Sequence, residues 1–506
     1  MSKILAFCFL FAFHQNTLLA QLGFNRIYDA TMIGNKSFDK IFVDKDTIIA
    51  LGLGYQINSP QGIIIAKIDS FGTLVAQNFI VDSLNHHLTM DFLWGNVIKT
   101  TQGHYAFPAI ALNRGGSLLL QIDNNLQLKS IFEFQTPADD YTAIDEDMVE
   151  LSDGGFMILG RVQRPNLKHD GFVRRIDKHG NLLWFNYYGD YNKDETFRCV
   201  VKVTDNRFVI GGGAGPNNND PFGLRAGLWA IDSNGVVLDT WVGPNEPNLI
   251  LLRGLLPTPD GGFIANGRTY WGEGDWGSMV QVSLMKFDSA LQLQWLQHVG
   301  PNNSGYNGIY DMVSTPDGHY IVAGERTAYG DLSLPSDDWG GWLYKFSEQG
   351  DSIWSRADNA PPGYDATGEF VYGGVGVLSS GSIVAGGKGD IDDKFVGWVV
   401  KVTADGCMDT LFCYTSGSEE PAWETGLRVF PNPATTFAQL DFKTSMPANS
   451  QVAVHDLAGR RVLMEDLPEG SISHTLQLAG FIKGWYLISI SVNGKVVGRE
   501  KLVILG

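Results

Sequence analysis

The chain has 506 residues, room for two or three domains, with 60 glycines, 12% aromatic residues and only 18% charged residues. An apolar content of 44% suffices for a large core and excludes a chain disordered by composition. The net charge of -18 argues against a nucleic-acid partner, which needs a basic face.

Lys3 is followed by an apolar run, Ile4 to Phe13, too short to span a bilayer. Leu18-Leu19-Ala20 before Gln21 reads as a small-residue cleavage site, so residues 1–20 are expected to be a secretory signal peptide. The alternative is a buried N-terminal helix. No later run reaches 18 apolar residues, so no transmembrane helix is expected. Cleavage would leave Cys199, Cys407 and Cys413. Cys407 and Cys413 sit six apart in a turn-rich stretch, which in an oxidising compartment suggests a local disulfide. Two free thiols are the alternative, and none of the usual zinc spacings is present.

Residues 21–414 are dominated by a repeat. A DGGF-like element recurs at Thr101, Asp153, Thr204, Pro259, Pro316 and Ser379, with a degenerate copy at Asp46. A second element, IDxxG, follows each one, as at Ala66 to Gly72 and Ile176 to Gly180. Seven copies result, spaced 51 to 63 residues apart. Each breaks into four short apolar runs, in the third copy Met148–Leu151, Phe156–Leu159, Phe172–Ile176 and Leu182–Tyr187. Runs this short between Asp/Gly turns are strands. The expected fold is all-β, a seven-bladed β-propeller. An extended β-solenoid is the rival, although its repeats are usually shorter.

The last copy lacks its fourth strand, while residues 24–34 (beginning Phe24-Asn25-Arg26-Ile27-Tyr28) resemble one and precede the first copy. They are therefore expected to complete the blade formed by residues 375–406, leaving no open edge. Trp184, Trp295 and Trp354 of the fourth strands should pack between blades.

The connections between second and third strands are long and differ in every copy: 161–170, 213–226, 268–281, 326–340 and 387–396. Function concentrates on variable loops held by a rigid scaffold. Two of them combine aromatic rings with carboxylates: Tyr270, Trp271, Glu273, Asp275 and Trp276, then Tyr329, Asp331, Asp337, Asp338 and Trp339. Flat apolar rings beside acids suit a sugar. Packing and capping within their own loops is the alternative role. Equivalent innermost positions carry Asn96, Asp147, Cys199, Gly254, Asp311 and Gly374, small residues where strands converge.

Residues 415–425 read as a polar linker. Residues 426–506 carry eight Lys/Arg and six Asp/Glu and alternate apolar with polar residues in about seven short strands, as in a small, Ig-like β-sandwich. Four segments occur in order there: Val429-Phe430-Pro431-Asn432-Pro433-Ala434, Val454 to Arg460 with Gly459, Gly484-Trp485-Tyr486-Leu487, and Lys501-Leu502-Val503-Ile504. Together they resemble the type A C-terminal sorting domain of the type IX secretion system. The resemblance implies passage through the periplasm and across the outer membrane, removal of the domain by a sortase-like protease, and surface anchoring or release. Within the motifs, Pro431 and Pro433 should fix an extended run, Gly459 should make a hairpin turn and Gly484 should open a strand.

The chain has no HExxH, GxSxG or P-loop motif. Asp-rich clusters (Asp145-Glu146-Asp147, Asp337-Asp338, Asp390 with Asp392-Asp393) offer oxygen ligands to calcium, but none has EF-hand spacing, and no cofactor is expected. The IDxxGNxxW run from Ile176 is loosely similar to the tryptophan-docking motif of quinone-dependent dehydrogenase propellers, but lacks its threonine and reads as packing. Two function classes follow: a non-catalytic binding or adhesion protein for an extracellular polymer or glycan, and a secreted polymer-degrading hydrolase or lyase with an acidic site at the propeller centre.

Overall fold

The computed structural model describes residues 23–28, 37–54, 61–81, 88–89, 96–111, 116–135, 142–190, 193–215, 224–244, 248–270, 280–300, 307–327, 339–361, 368–391, 394–408, 427–456, 461–492 and 495–505. The chain divides into two compact units, one ending at Met408 and one beginning at Asp409. Among the described residues both are built of antiparallel β-sheets without helix. The expected signal peptide and linker lie outside the described residues.

In the larger unit the repeat folds as sheets that follow one another along the chain. Sheet I holds strands Lys40–Asp44, Thr47–Gly54, Gly62–Asp69 and Leu74–Ile80. Sheet II holds Tyr105–Ala111, Gly116–Ile122 and Leu128–Phe134, its innermost strand split into Leu88–Thr89 and Ile98–Lys99. Sheet III runs from Thr142–Glu150 through Phe156–Gln163 and His169–Ile176 to Leu182–Tyr188. Sheet IV spans Glu195 to Val242, sheet V Asn248 to Val299, and sheet VI Asn307 to Asp358, each as a four-stranded meander. Sheet VII contains Phe370–Val377, Ile383–Ile391 and Lys394–Val402, and its fourth strand is Phe24–Tyr28 from the start of the chain. The pairing runs from Phe24 opposite Lys401 to Tyr28 opposite Gly397.

Alternation along the strands buries one row of side chains against the preceding sheet and the other against the following one. Leu159 and Val173 of sheet III share a core with Phe197 and Ile210 of sheet IV. Further cores join sheets I and II, II and III, IV and V, V and VI, and VI and VII. A seventh joins VII back to I, through Tyr28, Val384 and Val399 against Phe38, Ile48 and Ile64.

In sheets III, V, VI and VII fourth-strand aromatics fasten the sheet to the turn between third and fourth strands of the next. Trp295 donates to the Glu348 carbonyl (3.1 Å) and Trp354 to that of Ala404 (3.2 Å). Tyr188 donates to Gly235 O, and Tyr28 repeats this bond across the closure, to Gly72 O, both at 2.8 Å. Trp184 packs on Gly235.

Two expectations about strand length are corrected. The first strand of sheet III begins at Thr142, six residues before the apolar run Met148–Leu151, because it carries Asp145, Glu146 and Asp147 buried against partners. The connections 161–170 and 387–396 are short. Arg161, Val162 and Gln163 pair with Gly171, Asp170 and His169, and only residues 392–393 lie between the strands of sheet VII.

The smaller unit has a three-stranded sheet, in the order Arg428–Phe430, Phe437–Asp441, Ser473–Gln477, and a four-stranded one, in the order Arg461–Leu467, Ser450–Asp456, Gly484–Val492, Lys495–Ile504. Both contribute to one core, with Leu440 and Leu476 from the first and Val452, Ile488 and Leu502 from the second.

The chain-end closure yields a prediction. The fully buried Trp398 donates its indole N–H to Asn25 Oδ1 (2.6 Å), and Asn25 Nδ2 donates to Asn359 O (2.8 Å). Asn25→Ala strands the indole N–H and should cost about 1–3 kcal/mol in urea unfolding. In a Trp398→Phe background the same change should cost much less; equal losses in both backgrounds would contradict the coupling.

Candidate functional site

The inner ends of the sheets are organised by one backbone device. In sheets III to VII the innermost strand carries an extra residue, shifting the register between Asp145 and Asp147, Phe197 and Cys199, Leu252 and Gly254, Ile309 and Asp311, and Tyr372 and Gly374. The second strand faces this bulge with a glycine. A Cβ on Gly160, Gly212, Gly324 or Gly387 would collide with the carbonyl of Ile144, Thr196, Gly308 or Val371. Gly52 stands in the same relation to Ser37, which makes Asp39 the equivalent of the bulge residue in sheet I. A bulge re-aims its side chain out of the ladder. The re-aimed residues are Asp39, Glu146, Arg198, Arg253, Tyr310 and Gly373.

The residues after the bulges are the innermost positions singled out from sequence. Asp147 Oδ2 accepts from the amide of Val200 in sheet IV (2.8 Å), and its Oδ1 accepts from Met148 N (2.8 Å). Asp311 repeats the arrangement, with Val375 N of sheet VII (2.9 Å) and Met312 N (3.0 Å). Each carboxylate thus ties its sheet to the next. Lys40, the corresponding residue of sheet I, lies 3.8 Å from Asp311 and donates to Tyr310 O (3.1 Å). The expectation of uniformly small residues is therefore corrected: Lys40 shares this position and is accommodated by the carboxylates around it. Burial pushes Asp147 up to about 7, against the lowering effect of the two amides, Lys40 and Asn96. Cys199 is free and buried, its thiol held well above the ordinary range by burial and by Asp147.

Towards the end from which the second-to-third-strand connections leave, charged residues of neighbouring sheets meet. Glu146, with no exposure, meets Arg198 Nη1 of sheet IV at 2.6 Å and Arg161 Nη1 at 3.4 Å. Arg268 of sheet V reaches Gly308 of sheet VI, beside Glu325 and the Tyr310 hydroxyl. Tyr310 donates to Glu325, whose carboxyl burial pushes up to about 7. Lys388 of sheet VII lies near both Glu325 and Asp39, and burial also raises Asp39 to about 7. Deeper in sheet III, Arg174 is sandwiched by Phe134 and Phe172 and pairs with Asp145 (3.0 Å). Sequence reasoning named Asp145 and Glu146 as an acidic cluster for calcium but missed the arginines that pair with them, and Glu325 and Lys388; the signal was a charged residue directly after the second-strand glycine, as in Gly160-Arg161, Gly267-Arg268, Gly324-Glu325 and Gly387-Lys388.

The candidate ligand face falls largely outside the described residues: Trp271, Asp275, Trp276, Asp337 and Asp338 lie there. Tyr270 closes the second strand of sheet V and Trp339 opens the third strand of sheet VI. Both therefore sit at the same end of adjacent sheets. Among the described residues no group of three or more His, Cys, Asp or Glu is placed to hold a metal ion. Cys407 is disulfide-bonded, and Cys413 lies outside the described residues.

In the smaller unit the four sorting segments lie side by side. Asn432 Nδ2 donates to Lys501 O (2.6 Å) and its Oδ1 accepts from Val503 N (2.9 Å), as a strand backbone would. Ala434 continues the pairing with Val503 and Leu505. Lys501, Leu502 and Val503 lie opposite Leu487, Tyr486 and Trp485, and the latter strand pairs His455 with Leu487 and Asp456 with Tyr486. Gly484 opens its strand as expected. Residues 431–433 are bent rather than extended, each proline following a cis bond, and the Asn432 side chain does the pairing there. Gly459 lies outside the described residues, between the paired strands Ser450–Asp456 and Arg461–Leu467.

The Asp147 environment yields a second prediction. A folded value of about 7 against an ordinary 3.8 means that burial penalises the charged form. Wild-type stability from this group is present below pH 4 and is lost as the pH rises to about 7, by roughly 4 kcal/mol at the limit. Asp147→Asn retains an acceptor for Val200 N and removes the titration. Its stability relative to wild type, from urea unfolding, should therefore improve from pH 4 to pH 7; a pH-independent difference would contradict the assignment.

Residues 428–505 match the family described as the secretion system C-terminal sorting domain. A search among curated protein sequences finds no match. Among solved structures, puromycin hydrolase shares 12% identity, with 84% of this chain and 62% of that one covered and a TM-score of 0.45. An oligogalacturonate lyase in complex with manganese shares 11%, with 76% and 96% covered and a TM-score of 0.43. A protein of unknown function from Bacteroides caccae shares 10%, with 64% and 94% covered and a TM-score of 0.36. Likeness at this level carries no statement about activity or ligand. No helix among the described residues is long and apolar enough to cross a membrane. Residues 428–505 are thus a type IX secretion C-terminal sorting domain, and the protein that carries it is exported to the cell surface or secreted.

Proposed function

We propose that residues 21–414 form a closed seven-bladed β-propeller which, once exported behind a signal peptide at residues 1–20, acts as a non-catalytic binding or adhesion module for an extracellular polymer or glycan. The cycle of inter-sheet cores, returning from sheet VII to sheet I, supports the ring. The two C-terminal sheets around one core are read as a small sandwich that engages the type IX machinery and its sortase-like protease.

One observation carries the preference for binding over hydrolysis or lysis. The two carboxylates that follow the bulges are committed to structure: Asp147 and Asp311 hold the Val200 and Val375 amides of the following sheets. A general base must have its lone pair directed at a substrate proton, and these are directed at the backbone. The variable connections 271–279 and 328–338, which leave the same end of sheets V and VI, supply the ligand face: Tyr270, Trp271, Asp275, Trp276, Asp337, Asp338 and Trp339.

The test is a panel of immobilised polysaccharides offered to the purified protein, scored for retention and for soluble product. Retention without product is expected, and Trp271→Ala with Trp339→Ala should abolish it while leaving the melting temperature unchanged. Product release would favour the degradative reading. Unchanged retention by the double variant would move the site elsewhere.

A further inference from the structure

The charges at the inner ends of the sheets are not evenly distributed. Six positions define this belt in sheets III, IV and V: the bulge residues Glu146, Arg198 and Arg253, and the residues after the second-strand glycines, Arg161, Gly213 and Arg268. They hold four arginines and one carboxylate. The equivalent positions of sheets VI, VII and I are Tyr310, Gly373 and Asp39, then Glu325, Lys388 and Leu53, with two acids and one lysine. Across these six sheets the belt therefore has a basic side and an acidic side, in a chain whose net charge is -18.

From this asymmetry we infer that the ligand is an anionic polysaccharide, whose acid groups are received by Arg161, Arg198 and Arg253; the inference rests on the glycan-binding reading above. The geometry suits that role. Glu146 is fully buried and draws Arg161 and Arg198 to a single carboxylate oxygen, Oε1, so the two guanidiniums converge. Their side chains keep 23% and 13% of their exposure, so their outer edges reach solvent while the carboxylate does not. Arg253 enters from the bulge of the adjacent sheet and is partly exposed. Guanidinium groups bind carboxylate and sulfate through paired N–H donors, which gives such a site geometry as well as charge. The belt would meet the acid groups on the edges of the sugars.

The test uses the full chain and three probes at equal length: a hexameric uronic acid oligosaccharide, its fully methyl-esterified form and a sulfated neutral hexasaccharide. Binding is read by calorimetry at low and at moderate salt. Removing the arginines alone leaves a buried carboxylate without counter-charge, so the main variant is Arg161→Gln with Arg198→Gln and Glu146→Gln, whose folding is checked by its melting temperature. Arg253→Gln is the second variant, read on its own if the first does not fold. The uronate or the sulfated probe should bind at least tenfold more tightly than the ester, and weaken as salt rises. Each folded variant should lose at least tenfold for the acidic probe, with whichever of carboxylate and sulfate binds better naming the acid. Equal binding of the ester, or unchanged binding by the variants, would overturn the inference and leave the glycan reading standing. Failure of all three probes here and of every polymer in the panel would overturn both.

Discussion

The close approach of the second strand's glycine to a carbonyl of the innermost strand is the constraint from which the centre of the larger unit follows. Any Cβ at Gly160, Gly212, Gly324 or Gly387 would occupy the space of that carbonyl. With it absent, the innermost strand can bulge, and two consecutive residues change roles. The first leaves the ladder and points where ordinary alternation would not put it. The second carries the acids that reach the next sheet, as Asp147 does to Val200 and Asp311 to Val375. The backbone device thus explains why charged residues occur in strands that are otherwise apolar, and why they cost less there than free burial would.

Stability and function draw on different parts of this arrangement. The hydrophobic cores between successive sheets supply the bulk of the stabilisation, while the aromatic bonds of Tyr28, Tyr188, Trp295 and Trp354 tie sheets VII, III, V and VI to the sheets that follow them. With orientation fixed in this way, side chains from three strands of two adjacent sheets can meet, as Glu146, Arg161 and Arg198 do. In the smaller unit the same economy recurs on a local scale. Asn432 substitutes a side-chain amide for a missing strand and holds the terminal segment Lys501–Val503, so that motifs far apart in sequence share one sheet end.

Much of the fold was legible because it repeats. Turn residues and apolar runs recurring every 51 to 63 residues identify the four-stranded units, and the missing fourth strand of the last copy points to Phe24–Tyr28. The sorting segment was legible from its motifs. The inner strands were cut short in sequence because Asp145, Glu146 and Asp147 look like loop residues until their partners in sheets III and IV are known. The arginine belt was hidden for the same reason: its members are isolated single charges, and only the register brings Arg161 of one sheet to Arg198 of the next. The lengths of connections 161–170 and 387–396 were overestimated because Val162 to Gln163 and Lys388 to Ile391 continue strands with mixed polarity.

The bulged inner strand depends on the glycine that faces it. The most direct measurement is the unfolding free energy of Gly160→Ala set against Gly116→Ala, where a Cβ would find its nearest neighbour at 3.5 Å. Gly160→Ala should cost about 3 kcal/mol or more, since the new methyl group meets backbone that cannot yield, and Gly116→Ala should cost less than about 1 kcal/mol. Similar, small losses at both positions would mean that the bulge does not depend on the glycine, and would contradict the account.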